Sequence, residues 1–500
     1  MDGRLRAVSE LFVPEARESV GLHEYDGVVQ DLSPSGVRGA LARLGGPPVS
    51  DPVIEAHLGA FEERGRIVYG ELEQHRRSPL LHLQNLDLAC YDRHYAPAEQ
   101  RQAARRRHLS AWPDAVDAAL ESLAGVPGPV AAGLLPAVEG LVADLGHEDD
   151  GVTAAARAAH RRLVTRVQDL ARRGDPDPAI GAVSLARLMG APEAMTVDLG
   201  RLALRADAER SRLGDILNEA CGRIEPGRSV PEVVAALLAD HPDGPGVVDE
   251  AVRLVQEVIA FTLAHGLVPD VDGECRVGPA PPSRRWAMAM ISPSAPFEDD
   301  APSWYYITPP EPSWPIDQQQ EWLSVFSVTT LPAITVHEVA PGHFAHFRCL
   351  RRIDGEVRRA LLSNAFIEGW AHYAEELCLE EGFRANDPRY GAGVALEALV
   401  RVTRLAVAIG IHTGSMSMDE AVRRFEADAY LAGPAARSEA ARATFDPGYG
   451  CYTWGKLEIR ALRDEAQAQW GLRYSHRRFH QTLLEQGAPP LGLMGTSLGE

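Results

Sequence analysis

His337, Glu338 and His343, in the run His337-Glu338-Val339-Ala340-Pro341-Gly342-His343, and Glu368, in Glu368-Gly369-Trp370-Ala371-His372-Tyr373, are the side chains of this sequence best suited to metal-assisted hydrolysis. That chemistry takes three protein ligands drawn from imidazoles and carboxylates, with one position left open for water. It also takes a carboxylate that accepts the water's proton and a donor for the developing oxyanion. A His-Glu pair, a second His and a downstream Glu supply these types in a short span. The spacing differs from the common HExxH arrangement, whose i,i+4 histidines lie about 40° apart on one helix face. Here His343 follows His337 by six residues, a rotation of about 600° that leaves the two some 120° apart on a continuous helix.

Position i+4 is Pro341, which cannot donate to the His337 carbonyl and breaks or kinks a helix. Gly342 adds backbone freedom. Two local structures fit. The Pro-Gly pair loops out the extra residues and returns His343 to His337, or a second helix starts with Pro341 at its first position and pairs His343 with His346 at i+3. Downstream, residues 366–376 read as a helix with Glu368, His372 and Glu375 on one face at i, i+4, i+7. Glu368 is the candidate third ligand, and His372 a candidate partner that orients it. An exposed Glu-His pair is also an ordinary solvated face, and a buried histidine an ordinary core residue. Clustering favours the metal: His337, His343, His346, His372 and His412 place five of seventeen histidines within 76 residues. Of these, His346 and His372 best suit a structural role.

The elements that must hold these groups are mostly helical. Apolar periodicity predicts helices over about 52–76, 98–124, 152–174, 197–222 and 247–265, the last with Val248, Val252, Val255, Ile259 and Leu263 as one stripe. Breaks fall at Gly45-Gly46-Pro47-Pro48, Gly174-Asp175-Pro176-Asp177-Pro178 and His241-Pro242-Asp243-Gly244-Pro245-Gly246. Character changes near residue 270. From Val271 to Trp314 prolines are dense, and 286–291 and 304–308 are the best strand candidates. A small sheet beside a helical site suits extended peptides, which an edge strand binds through main-chain hydrogen bonds. Helical pattern resumes after Gln318, and Ser417-Met418-Asp419-Glu420 is a capping box for a helix running to Tyr430. The expectation is a helical region over 1–270 and a catalytic region over 271–500, joined in one compact, two-lobed body.

Composition narrows the function classes. A formal charge of −20 disfavours nucleic acid and anionic membrane surfaces as partners. Met1 to Val13 carries mixed charges without an apolar signal-peptide core, and no window approaches the ~18 apolar residues that span a bilayer. Six cysteines without CxxC spacing read as reduced thiols rather than a disulfide framework or zinc-cysteine site. These features lead us to expect a cytoplasmic protein.

HEVAPGH followed by EGWAHYAEE resembles the hallmark HExxPGHxxQ then EGWAxYxE of the bacterial family known as domain of unknown function 885. The likeness runs along the chain. Val20 to Asp26 with Asp31-Leu32-Ser33 is similar to the family's N-terminal signature, and Trp304 to Pro309 to the strand before its first motif. Gly410-Ile411-His412 is similar to its GxH segment, Pro447 to Tyr452 with Gly455 to its PxxxxxYxxG stretch with one residue fewer between Pro and Tyr, and Arg478-Phe479-His480 with Leu483, Leu484 and Gly487 to its ending. The resemblance implies a mainly α, zincin-like metallohydrolase body with a small β element next to an active-site channel. It implies that His337, His343 and Glu368 bind zinc or another divalent metal, that Glu338 is the general base, and that His412 and Tyr452 are oxyanion or substrate donors. Arg442, facing a substrate carboxylate, and Tyr306, on the strand before the motif, are the implied substrate-binding residues. Three positions depart from the family pattern: His346 stands where it has Gln, Ala408 where it has Asp, and Thr453 where it has Lys. All three are expected near the pocket and bear on specificity.

The leading expectation is zinc-dependent hydrolysis of peptide or other amide bonds, with zinc activating water and Glu338 carrying its proton. A metal-dependent tailoring enzyme acting on a small non-peptide substrate is the second reading, motivated by the three departures. A helical scaffold or binding protein that has lost catalysis is the third. Metal content of the purified protein separates the third from the other two.

Overall fold

Long Ala-, Leu- and Arg-rich segments with one apolar stripe can bury that stripe only against other helices. In the helix over 244–265 the buried face is Val247, Ala251, Leu254, Val255 and Val258 rather than the expected stripe, of which Val252 and Leu263 are exposed. A computed structural model describes residues 3–145, 150–269, 271–281, 284–285, 287–299 and 301–498, and it is mainly α with one small three-stranded sheet. The expected helices form at Pro52–Gly65, Gly151–Arg173, Leu199–Ile224 and Gly244–His265. The segment expected as one helix over 98–124 is two, Ala98–Ser110 and Trp112–Ser122, because Pro113 sits in the first turn of the second and cannot continue the ladder of the first. The capping box forms as expected, though its helix ends at Asp428 rather than Tyr430.

Six helices that frame the site are labelled in chain order: α1 (Leu199–Ile224), α2 (Leu331–Glu338), α3 (His343–Leu350), α4 (Asn364–Glu380), α5 (Pro388–His412) and α6 (Cys451–Trp470). Helix α2 is buried from Leu331 to His337, a central helix with no solvated face, and it packs on α4 and α5. Helix α1 runs along α5, and α4 along α6. Each of α4 and α5 begins on a side-chain cap: Ser363 accepts from the Phe366 N–H, and Asp387 from that of Arg389. The largest apolar core joins Leu185–Val268 to side chains as far along as Leu498, so the helices before residue 270 help to support those after it.

The sheet consists of β1 (Cys275–Pro279), β2 (Ala289–Ser292) and β3 (Ser303–Ile307), in the order β1-β3-β2, with β1 parallel and β2 antiparallel to β3. Two of these match the expected strands, except that Trp286, at the start of the first, lies outside the described residues. Strand β1 was not anticipated, because Cys275-Arg276-Val277-Gly278-Pro279 contains Gly and Pro, which are depleted in strands. Alternation along β3 buries Ser303, Tyr305 and Ile307 on one face and sends the Tyr305 hydroxyl to within 3.4 Å of Thr335 Oγ1 on α2. The sheet therefore lies against the helix that carries His337 and Glu338.

Candidate metal centre

Helix α2 stops at Glu338 and α3 starts at His343, so the chain between them carries the correction that a continuous helix could not make. The Ala340–Pro341 peptide is cis, and the Gly342 N–H donates to the Val336 carbonyl at 3.2 Å. A β-carbon on Gly342 would stand 2.0 Å from the His337 carbonyl oxygen, so only glycine permits the crossing. The indole N–H of Trp370, from the second motif, donates to the Pro341 carbonyl at 2.8 Å and ties the loop to α4. The outcome combines the two local structures considered. The extra residues are looped out, and a new helix begins at His343 instead of Pro341. His337 and His343 meet with ring centroids 4.7 Å apart, while His346 turns away to Gly487, its Nε2 3.2 Å from that carbonyl.

Glu368, on α4, completes the cluster. One of its oxygens lies 3.4 Å from His337 Nε2 and 3.4 Å from His343 Nε2, and the three candidate ligand atoms lie within 4.8 Å of one another. A tetrahedral zinc with ligands at about 2.0–2.1 Å has ligand-to-ligand edges of about 3.3–3.4 Å, which the two edges from Glu368 to the histidines match. The side chain of Glu368 is 19% exposed while His337 is nearly closed off, which leaves the cluster reachable from one side. Burial alone would raise the Glu368 carboxyl, but His343 and His337 outweigh it and hold the group well below the carboxylate range. Burial and Arg401 act to lower His337; Glu368 and Glu375 outweigh them and bring it up to about 9.

Glu338 follows His337 directly and is half-buried. Its Oε2 accepts the outward N–H of Ile291 on the edge strand β2 at 2.8 Å, an anchor that no sequence pattern announces. Tyr452, at the start of α6, stacks beside His337 at 6.3 Å and 22°, with the guanidinium groups of Arg401 and Arg404 at 6.0 and 5.5 Å from its ring centroid. Its approach is set by two glycines. A β-carbon on Gly455 would meet the Ala365 carbonyl oxygen at 1.9 Å, and one on Gly369 would meet the Gly455 backbone at 2.5 Å, so α4 and α6 touch backbone to backbone where the EGW and YxxG motifs cross.

The structure does not bring the other expected site residues into this cluster. His412 is eleven residues beyond Arg401 on α5, about 16 Å along the helix axis. Its Nε2 donates to the Ala443 carbonyl at 2.8 Å, and it borders a surface hollow with Arg77, Phe445 and Pro447. Arg442 is engaged by Asp446 at 2.9 Å and lies over Tyr449, though it is near enough to Tyr452 to bear on its phenol. Tyr306 alternates with Tyr305, lies on the opposite face of the sheet from α2, and stacks on Trp304 at 5.6 Å. Of the positions that depart from the family pattern, His346 packs against Phe366 and Ala408 lies in an apolar cluster with Val407, Ile411 and Phe425. Thr453 is buried, with no hydrogen-bond partner for its hydroxyl among the described residues. His346 and Ala408 serve packing rather than the cluster.

His372 does not orient Glu368. It lies 3.6 Å from Glu375, and neither ring nitrogen is hydrogen-bonded among the described residues. Sequence reasoning placed Glu375 on the same helix face as Glu368 but assigned it no role, and its Oε1 is 2.7 Å from His337 Nδ1. Its position two turns after Glu368 was the available signal.

Two solved structures share this fold along its whole length. A candidate lipoprotein of unknown function from Shewanella oneidensis superimposes with a TM-score of 0.77 at 17% identity, covering 99% of this chain and 97% of that one. A candidate lipoprotein from Colwellia psychrerythraea does so with a TM-score of 0.79 at 17% identity and the same coverage. At that identity the likeness concerns the fold alone. Among curated proteins none matches the chain significantly. The profile of a family of bacterial proteins of unknown function matches residues 14–498. With its paired motifs converging on one cluster, the chain belongs to domain of unknown function 885 (DUF885).

Proposed function

We propose that this protein is a metal-dependent hydrolase of peptide or related amide bonds. The observation that carries the reading is the placing of His337 Nε2 and His343 Nε2 each 3.4 Å from one oxygen of Glu368, the edge length of a zinc tetrahedron. Zinc or another divalent ion bound there supplies a Lewis acid and a water of lowered pKa. Glu338 takes the proton of the attacking water and returns it to the leaving amine. Its Oε2 is held by the Ile291 N–H, which leaves Oε1 as the proton-carrying atom. Tyr452 donates to the oxygen on which charge develops. Burial first, then Glu368, push its phenol well above the ordinary value, so it keeps its proton at neutral pH.

A second reading, hydrolysis of a small non-peptide amide, is favoured by one feature. An extended peptide adding to β2 would use outward N–H groups of that edge, and Glu338 already occupies the one at Ile291. The free, mostly buried cysteines support a reducing compartment, and among the described residues no helix is long and apolar enough to cross a membrane.

The test measures bound metal by elemental analysis after zinc loading, and turnover on a defined mixture of peptides and small amides by mass spectrometry. Glu338→Gln is expected to keep its metal and lose turnover, and Glu368→Ala to lose metal. Full turnover in Glu338→Gln sinks the mechanism, and a wild-type protein that takes up no metal favours a binding scaffold instead.

A further inference from the structure

Glu375 is fully buried, and a carboxylate in such a place costs several kcal/mol unless it is paired and hydrogen-bonded. It is held on both oxygens. Oε1 lies 2.7 Å from His337 Nδ1 and Oε2 accepts from Arg401 Nη1 at 3.1 Å. Arg401 is steadied in turn by Glu397 at 3.4 Å. The backbone at Glu375 is pinned as well, since the Tyr390 hydroxyl donates to its carbonyl at 2.9 Å. The His372 contact, at 3.6 Å, is too long for a hydrogen bond. The other histidine of the cluster has no such support among the described residues, where His343 Nδ1 is buried without a hydrogen-bond partner.

We propose that Glu375 is a positioning residue: by accepting the Nδ1–H of His337 it fixes the tautomer and ring orientation that aim Nε2 at the metal position, and it does so without touching the metal. The inference rests on the metal-hydrolase reading. Since His343 lacks an equivalent partner, metal affinity depends on this one carboxylate more than in a cluster with both imidazoles supported. Arg401 and Tyr390 locate Glu375, so the chain of positioning runs from α5 through α4 to α2.

The experiment measures zinc dissociation constants by chelator competition, and the visible spectrum of the cobalt form, for wild type, Glu375→Gln and Glu375→Asp. Unfolding of the metal-free proteins checks the fold. Asp keeps the charge beside Arg401 but withdraws the oxygen by one methylene, so a purely structural role would tolerate it. Both variants are expected to unfold cooperatively, to bind zinc about 10- to 100-fold more weakly, and to show a shifted cobalt spectrum. Wild-type affinity and spectrum in both variants would overturn the proposal and leave the metal reading standing. A wild-type protein that binds no metal overturns both. Should the variants fail to fold, the histidine 15N spectrum of the wild-type zinc form decides: a slowly exchanging proton on His337 Nδ1 is expected, and a bare Nδ1 overturns the proposal.

Discussion

The Tyr452 hydroxyl is the group on which the two halves of the proposed chemistry meet, because its ring lies beside His337 and its proton is held by burial and the Glu368 charge. Replacing it with Phe removes one donor and little volume. Tyr452→Phe is expected to lower kcat by about 100-fold or more, with KM and zinc content close to wild type. A steady-state analysis with paired metal determination checks this, and an unchanged kcat removes Tyr452 from the mechanism. The comparison with His412 shows what residue types can and cannot reveal. His337, His343 and Glu368 were legible because ligand chemistry restricts the candidates to a few residue types in a short span. His412 satisfied the same restriction, yet its position on α5 points it at the Ala443 carbonyl. Type and motif identify a candidate; the distance along a helix decides whether it arrives. The role of Glu375, named on the face of Glu368, was hidden for the opposite reason, since a carboxylate paired to His337 and Arg401 reads in sequence as one more acidic residue on a helix.

At the scale of elements, the site depends on close approaches that only small residues allow. Gly342 lets the loop cross the end of α2, while Gly369 and Gly455 let α4 and α6 meet backbone to backbone. The resemblance to the family placed all three glycines within motifs, but periodicity could not say why, because a glycine within a helix registers as a weak former until its neighbour is known. A methyl group at Gly455 would stand 1.9 Å from the Ala365 carbonyl oxygen, and neither backbone can rotate aside as a side chain would. Gly455→Ala is therefore expected to force the helices apart and to cost about 3 kcal/mol or more, the upper part of the range for overpacking. It also shifts Tyr452 relative to Glu368. Urea unfolding of the metal-free protein reads the first effect and zinc affinity the second. A variant with the wild-type midpoint would show that the crossing has slack. The loop between α2 and α3 carries the same lesson: its sequence ruled out a continuous helix, but the loop that combines the two local structures is held by Trp370, which donates to the Pro341 carbonyl from another element.

Across the whole molecule, buried neutral histidines tie segments together, some of them neighbours and some hundreds of residues apart. His57 Nε2 is bonded to the Leu361 carbonyl, His82 Nε2 to that of His75, His108 Nε2 to that of Asn85, and His480 Nδ1 to that of Leu267. Burial is the main cause that lowers each of them, to about 4 for His57 and His82 and about 3 for His108 and His480. The unfolded chain binds protons at these groups near the ordinary value of about 6.5, so between that value and the folded value the unfolded state holds more protons than the folded one. Stability from these imidazoles is complete above pH 6.5 and is lost as pH falls through 6.5 towards 4. At pH 5.5 each costs between about 1 and 2 kcal/mol, and the four together cost about 6 kcal/mol, comparable with the lower end of the net stability of a typical domain. Metal-free protein is therefore expected to show a urea midpoint that drops steeply between pH 7 and pH 5.5, before most carboxylates begin to titrate. His57→Gln keeps an N–H for the Leu361 carbonyl and carries no charge at either pH, so it is expected to make that drop shallower by one proton's share. A midpoint that holds steady from pH 7 to 5.5 would mean that these imidazoles titrate as freely in the folded protein as in the unfolded chain, and that burial does not keep them neutral.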